Sequence, residues 1–122
     1  MRVSRYPLSA VQVHYNLIER SAATEEFLRF CREEGMAVVA YRPLERRLLA
    51  DRHREPLLGK LAGKYGKTPA QIALAWLVEQ EAVVPIPKAS RRNHIDENLG
   101  ALEVTLQPED RNLLDRMVLW ER

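Results

Sequence analysis

The sequence predicts an α/β fold with three parallel strands, and two features of the 122-residue chain support this prediction. Short apolar runs of strand length alternate with stretches of helical spacing, in the order β-α-β-α-α-β-α-α. Helical sequence separates each strand from the next, and such crossovers make the strands parallel. Because three parallel strands leave two unpaired edges, we expect a piece of a larger fold or a subunit that pairs.

The first part of the chain supplies two of the strands. We expect one strand over residues 9–15 ("SAVQVHY") and another over 36–41 ("MAVVAY"), which Pro43 closes. Residues 21–35 between them have helical spacing, acids in the first turn and a terminal Gly35. The apolar face of this helix is expected to comprise Ala23, Phe27, Phe30 and Cys31.

The middle of the chain predicts two consecutive helices after a charged loop at 42–56. The first covers 57–65. The second begins with Thr68 as N-cap and Pro69 at the first helical position. Residues 72–78 are apolar all round, so we expect this helix to be buried on more than one face.

The last part predicts a third strand and two further helices. The strand, at 82–87, contains two prolines, so it cannot form a complete ladder of backbone hydrogen bonds. A short helix follows at 93–101 and a final helix at 108–119.

Composition excludes several classes of function. A net charge of +2 does not favour nucleic acid or a membrane surface as partner, and no apolar run approaches the length of a membrane span. One cysteine permits no intrachain disulfide, which is typical of a reducing compartment. Three scattered histidines have no metal-ligand spacing. We therefore expect a single cytoplasmic domain over residues 1–122, without a metal site.

The stretch "VPIPKASRRNHIDENL" (84–99) carries the strongest signal for a ligand. A strand end, a polar basic loop and a helix start follow one another, and this arrangement binds anions. Lys88 offers a point charge, Ser90 a hydroxyl, and Arg91 and Arg92 planar donors that fit phosphate oxygens. On these residues alone, a solvated basic loop remains the alternative.

Four motifs resemble the C-terminal part of an aldo-keto reductase. They are "VQVHYNLIER", "CREEGMAVVAYRPL", "YGKTPAQIALAWLVEQ" and "PIPKASRRNHIDENLGALEVTLQPED". The resemblance implies that the chain is the segment of a (β/α)8 barrel that contains strands six to eight. It also implies the family's reaction, hydride transfer from NADPH to a carbonyl.

The resemblance implies NADP(H)-binding roles for particular residues. These are Gln12, Tyr41, Lys88, Ser90, Arg91, Glu97 and Asn98. Gln12 would bond the nicotinamide carboxamide, and the Tyr41 ring would stack on the nicotinamide. The basic loop would hold the 2′-phosphate, with the adenine near Glu97 and Asn98. The alternatives are a core aromatic at Tyr41 and a solvent-facing strand residue at Gln12.

The chain departs from the family pattern at three positions close in sequence to these residues. "YRPLE" stands where the family usually has "YSPLG", so Arg42 and Glu45 replace a small hydroxyl and a glycine. Glu45 adds negative charge beside the expected pyrophosphate, and a side chain there disfavours a positive φ angle. His94 stands where the family frequently has arginine, which we expect to weaken the contact with a phosphate.

No residue of the chain aligns with the family's proton-donating tyrosine or with the aspartate, lysine and histidine that assist it. His14 and His53 are expected to be a strand surface residue and a loop residue. We therefore assign no catalytic residue. Two hypotheses remain: a segment of an NADP(H)-dependent reductase that needs a complementary N-terminal half-barrel, or a non-catalytic module. The module would form a homo-oligomer, with residual or no nucleotide binding.

Overall fold

The sheet confirms the predicted α/β class. The computed structural model describes residues 9–45, 49, 56–87 and 92–117. Within them the strands β1 (Ala10–His14), β2 (Ala37–Tyr41) and β3 (Val83–Pro85) form one sheet in the order β1-β2-β3. Both neighbouring pairs are parallel.

The helices follow the predicted order. They are α1 (Glu25–Glu33), α2 (Pro56–Tyr65), α3 (Pro69–Val78), α4 (Arg92–Leu99) and α5 (Pro108–Asp115), with a 3-10 turn at Gly100–Glu103. None of the helices among the described residues combines the length and apolar character that crossing a membrane requires.

Helix α3 is the centre of the core. Thr68 caps it, accepting a hydrogen bond from the backbone N–H of Gln71, whose side chain in turn accepts from the N–H of Thr68. All nine residues from Pro69 to Leu77 are buried, as the uniformly apolar sequence predicts. The helix therefore packs on several sides at once.

The acidic and apolar pattern predicted that helix α1 would start at residue 21, but the helix starts at Glu25. Thr24 is the N-cap, because its side chain accepts from the N–H of Phe27 and ends the preceding turn. Leu28 and Cys31 define the buried face, whereas Phe30 is 36% exposed, so its expected burial was wrong. Burial raises the pKa of the Cys31 thiol, as expected for a small core residue.

Strand β3 and the helices after it are shorter than expected. Pro85 ends the paired region, and Ile86 contributes one further bond from its N–H to the Ala40 carbonyl at 3.0 Å. Helix α4 ends at Leu99, where the chain tightens into the 3-10 turn. Helix α5 ends at Asp115, short of the expected residue 119, and residues beyond 117 lie outside the described part.

The two faces of the sheet have different surroundings. Val38, Ala40 and Val83 are buried on the face that the helices cover, here called the outer face. Gln12, Val39 and Val84 are in register with one another on the opposite, inner face, where Gln12 is exposed and Val84 is 49% exposed. The inner face is thus the open side of this segment.

Candidate functional site at the carboxyl ends of the strands

The candidate site lies where the parallel strands end. The carboxyl end of β2 continues into the loop at 42–45, and that of β3 continues through residues 86–91 into α4. Helix α3 leads into β3, and its N-cap Thr68 lies against α4, since the Thr68 hydroxyl donates to Glu97. Loops at the carboxyl ends of parallel strands are where α/β folds place their ligands.

Gln12 and Tyr41 both lie on the inner face. Gln12 pairs in register with Val39, two residues before Tyr41, and its amide has no hydrogen-bond partner among the described residues. Tyr41 is half-buried and in register with His14. The Tyr41 and His14 rings stack with centroids 5.3 Å apart and planes at 19°. Side chains from neighbouring strands are therefore brought together at one end of the sheet.

Glu97 ties α4 to the start of α3. Its Oε2 accepts a hydrogen bond from the Thr68 hydroxyl at 2.9 Å, and its backbone carbonyl accepts one from Gln71 Nε2 at 2.7 Å. A Cβ at Gly100 would lie 2.4 Å from Gln71 Nε2, so a glycine permits this close approach. Glu97 Oε1 and the Asn98 amide have no partner among the described residues, which leaves them available to a ligand.

The remaining predicted site residues cannot be placed. Lys88, Ser90 and Arg91 lie outside the described residues, although α4 begins directly after them at Arg92. His94, on the first turns of α4, is half-buried. The anion-binding role of the basic loop therefore stays a prediction.

A buried asparagine joins the end of β1 to the loop after β2. Asn16 is 0% exposed, and its Oδ1 accepts from the N–H groups of Ile18 and Glu19, both at 2.7 Å. Its Nδ2 donates to the Arg42 carbonyl at 2.9 Å and to Glu45 Oε2 at 3.0 Å. Every hydrogen-bonding position of this amide is used within the protein.

A hydrogen bond joins His14 to Glu45 of the same loop. His14 Nε2 lies 3.1 Å from Glu45 Oε2. A carboxylate only accepts, so Nε2 carries the hydrogen in this contact. His14 was expected to be a strand surface residue, whereas its side chain is only 25% exposed and that of Glu45 12%.

The backbone of this loop adopts the left-handed region twice. Arg42 has φ of 52° and Glu45 has φ of 47°. The expectation that a glutamate would keep position 45 out of positive φ was wrong. The hydrogen bonds to Asn16 and His14 hold the strained conformation that a glycine would adopt freely.

Sequence reasoning missed the partners of the predicted residues. Thr68 was recognised as an N-cap, but its contact with Glu97 spans 29 residues. His14 and Asn16 reach a loop about 30 residues away. The "TPAQ" pattern predicts the capping box, whereas no local pattern predicts the contacts between elements.

A second concave feature lies on the helical layer. A cavity of about 550 Å³ opens between α1, α3 and α5. The Arg20 guanidinium lies 4.6 Å from the centre of the Trp76 ring and donates to the carbonyls of Leu114 and Asp115. Trp76 Nε1 donates to Asp115 Oδ1 at 2.9 Å. These groups hold α5 in place.

Comparison with known proteins gives a consistent result. The model of the aldo/keto reductase family matches residues 1–118. The chain is 35% identical to the probable aldo-keto reductase 1 of Glycine max, over 86% of this chain and 38% of that protein. It is 30% identical to the aldo-keto reductase yakc [NADP(+)] of Schizosaccharomyces pombe, over 83% of this chain and 39% of that protein.

Solved structures are also similar to this one. The thermostable aldo-keto reductase Tm1743, in complex with the inhibitor epalrestat, superposes with a TM-score of 0.84 at 42% identity, over 92% of this chain and 40% of that one. An aldo/keto reductase from Klebsiella pneumoniae, in complex with NADP and acetate, gives a TM-score of 0.77 at 32% identity, over 89% of this chain and 39% of that one. The chain thus spans about 40% of the length of these proteins.

Proposed function

The chain belongs to the aldo/keto reductase family, and we propose that it forms the C-terminal part of the NADP(H) site of a carbonyl reductase. Its three-stranded parallel sheet corresponds to the C-terminal part of the (β/α)8 barrel. One observation carries the proposal: Gln12 and Tyr41 share the inner face of β1 and β2, and Glu97 lies on α4, the helix that follows β3. The Gln12 amide and Glu97 Oε1 have no hydrogen-bond partner among the described residues.

The residues at the site suit the chemistry of the cofactor. The Gln12 amide both donates and accepts, as a carboxamide does, and the Tyr41 ring offers an aromatic face. Glu97 Oε1 can accept from the amino group of adenine, and the Asn98 amide can bond a ring nitrogen. The Lys88, Ser90 and Arg91 side chains offer the donors that a 2′-phosphate takes.

The names of similar proteins support this choice of cofactor. The Schizosaccharomyces pombe relative carries NADP(+) in its name, and the Klebsiella pneumoniae structure contains NADP. In such a site the reduced cofactor supplies a hydride to the carbonyl carbon. Gln12 and Tyr41 would orient the nicotinamide ring, and helix α4 would hold the adenosine end.

Proton donation must come from elsewhere in the barrel. No residue placed at this site is a proton donor in the family's pattern. We therefore expect the 122-residue polypeptide alone to bind the cofactor weakly and to oxidise no NADPH with an aldehyde or ketone.

The open inner face indicates what completes the site. Val84 and Ile86 are 49% and 46% exposed at the carboxyl end of β3. The partner we propose is a complementary N-terminal half-barrel, in the same polypeptide or a separate one. A second copy of this chain is the alternative, which would make it a self-associating module. In either form we propose the cytoplasm as its location.

A comparison of two small ligands tests the proposed cofactor site. Isothermal calorimetry should show that 2′-phospho-AMP binds more tightly than AMP, because each charge-assisted bond to the extra phosphate contributes about 1.5–3 kcal/mol before ordering costs. With half of the cofactor wall missing, we expect a dissociation constant of roughly 1 mM.

Two variants and a control decide the outcome of that comparison. Lys88→Ala and Arg91→Ala should each reduce the preference for the 2′-phosphate. Lys60→Ala, at an exposed position on α2, is the control for a general loss of positive charge. Equal binding of the two ligands, or a preference that both variants retain, would leave only a solvated basic loop.

A further inference from the structure

We propose that His14 is a positioning residue for the cofactor, because it holds the Glu45 carboxylate against β1 and away from the pyrophosphate. This inference rests on the proposed function. It assigns a role to the contact between His14 on β1 and Glu45 in the loop at 42–45, and Glu45 is one of the departures of this chain from the family pattern.

The charge at position 45 is a problem for a site that binds phosphates. A free carboxylate about 4 Å from a phosphate charge would weaken binding about fivefold in water, and more where the site is partly dry. The chain places a carboxylate, that of Glu45, in the loop that directly follows Tyr41. Binding of a dinucleotide therefore requires that this charge be directed elsewhere.

The structure directs it towards β1. Glu45 Oε2 receives two hydrogen bonds, from Asn16 Nδ2 at 3.0 Å and from His14 Nε2 at 3.1 Å. Asn16 cannot move away, because it is fully buried and its Oδ1 is engaged by two backbone N–H groups. His14 is held in turn by its stacking on Tyr41.

The loop backbone is fixed in the same way. The Arg42 carbonyl accepts from Asn16 at 2.9 Å and from the Glu45 N–H at 3.0 Å. Arg42 and Glu45 both have positive φ, a conformation that non-glycine residues keep only when their surroundings hold it. The His14–Asn16–Glu45 contacts supply that restraint.

A positioning role for His14 can be distinguished from a purely structural one. Removing its donor takes away one of the contacts that hold the Glu45 carboxylate against β1, and we expect the carboxylate to approach the phosphates more often as a result. The resulting loss of affinity then depends on which residue occupies position 45. A purely structural defect would lower the affinity for NADP⁺ by the same factor with any residue at position 45.

A double-mutant cycle with NADP⁺, followed by NMR titration of the 122-residue chain, tests this difference. His14→Phe keeps an aromatic ring against Tyr41 but removes the donor, and we expect it to weaken binding about fivefold. His14→Gln keeps a donor and should remain within about twofold of wild type. His14→Phe combined with Glu45→Gly should bind as Glu45→Gly alone does.

Salt supplies a second readout of the same cycle. The loss caused by His14→Phe should shrink at about 1 M salt, because it arises from repulsion between charges. Far-UV circular dichroism confirms that each variant is folded. A fivefold loss in His14→Phe that persists in the double variant would overturn the proposal, since the ring itself would then be the important feature.

Loss of NADP⁺ binding in the wild type and loss of the His14 effect have different consequences. A wild-type chain that binds no NADP⁺ overturns the proposed function, and this inference with it. A wild type that binds while His14→Phe binds equally well overturns the inference alone. Long-range ¹H–¹⁵N NMR of the imidazole gives an independent check: hydrogen on Nε2 supports the contact, and hydrogen only on Nδ1 contradicts it.

Discussion

The outer face of the sheet is covered by helices of this chain, whereas much of the inner face is open. On the outer face, Val38 and Ala40 are at most 1% exposed, beneath helices whose polar groups pair with one another. On the inner face, the Gln12 amide has no hydrogen-bond partner within the part of the chain that the structure describes, and Val84 is half exposed. The chain therefore carries its own outer layer, whereas we propose that a ligand or further protein covers its inner face.

This difference separates the part of the sequence that specifies the fold from the part that specifies function. Burial of apolar side chains contributes most to stability, so the outer layer determines whether the segment folds. Gln12, whose amide has no partner among the described residues, lies on the inner face. Changes to the two faces should accordingly alter different measurements.

The largest expected effect is on the outer layer. Leu77, on α3, is 0% exposed, so Leu77→Ala leaves a cavity and should lower the free energy of unfolding by about 2–5 kcal/mol. Leu102→Ala, at a 65% exposed position, is the matched control and should change it by less than about 0.5 kcal/mol. Urea unfolding followed by circular dichroism measures both. Equal losses of stability in the two variants would show that burial of α3 does not decide the stability of the outer layer.

The inner face should control association and leave folding unaffected. We expect the 122-residue chain to self-associate through its open face, and Val84→Asp to raise the dissociation constant about tenfold or more. Leu113→Asp, at a 43% exposed apolar position on α5, is the matched change on the outer layer. Sedimentation analysis at micromolar concentration compares them. A wild-type chain that is a cooperative, well-folded monomer would contradict this prediction.

Thr68 links the two regions and should therefore affect both measurements. Its side-chain oxygen caps α3, and its hydroxyl donates to Glu97 on α4. Thr68→Ala should cost about 1 kcal/mol of stability and also weaken 2′-phospho-AMP binding, because α4 loses a contact that orients it. Thr68→Ser retains the oxygen and should restore both. A variant that loses stability but binds normally would show that the Glu97 contact has no part in the site.

The smallest expected effect is a change in pH dependence on the outer layer. Asp110 Oδ2 accepts from Lys64 Nζ at 2.7 Å and from the Tyr65 hydroxyl at 2.5 Å, and these bonds lower the pKa of its carboxyl below 3.8. Since the folded pKa lies below the unfolded one, this contribution to stability is complete above about pH 4. It is lost as the pH falls through the folded value.

Asp110→Asn should therefore be less stable at pH 7 and should lose less stability on acidification. Urea unfolding at pH 7 and at about pH 3 measures this, with the exposed Asp96→Asn as control. A profile for Asp110→Asn that runs parallel to that of wild type between these pH values would show that the contacts of Asp110 contribute nothing.

The sequence predicted the outer layer well because local patterns determine it. Helix α3 begins directly after its N-cap Thr68 and is buried from Pro69 to Leu77, as the cap and the uniformly apolar run indicate. Errors occurred where rotation of a helix decides exposure, as at Phe30 on α1. Residues 21–23 have a helical composition but lie before the helix, because Thr24 is its N-cap.

The inner side was predictable only in part. Gln12 and Tyr41 came from the resemblance to a family, and the register of β1 and β2 places them on one face. The hydrogen bond between His14 and Glu45 joins residues 31 positions apart, and no spacing rule predicts such a contact. The positive φ of Glu45 follows from that contact, so its conformation could not be predicted from residue type.

The most direct test of the inner face as the cofactor wall is the map of NMR shift changes that NADP⁺ causes in the ¹⁵N-labelled chain. We expect the changes to concentrate on β1 and β2 around Gln12 and Tyr41 and on α4 around Glu97 and Asn98. Helix α1 and the cavity beside Trp76 should stay unchanged. Changes confined to that outer cavity, or no saturable change at millimolar NADP⁺, would contradict the assignment.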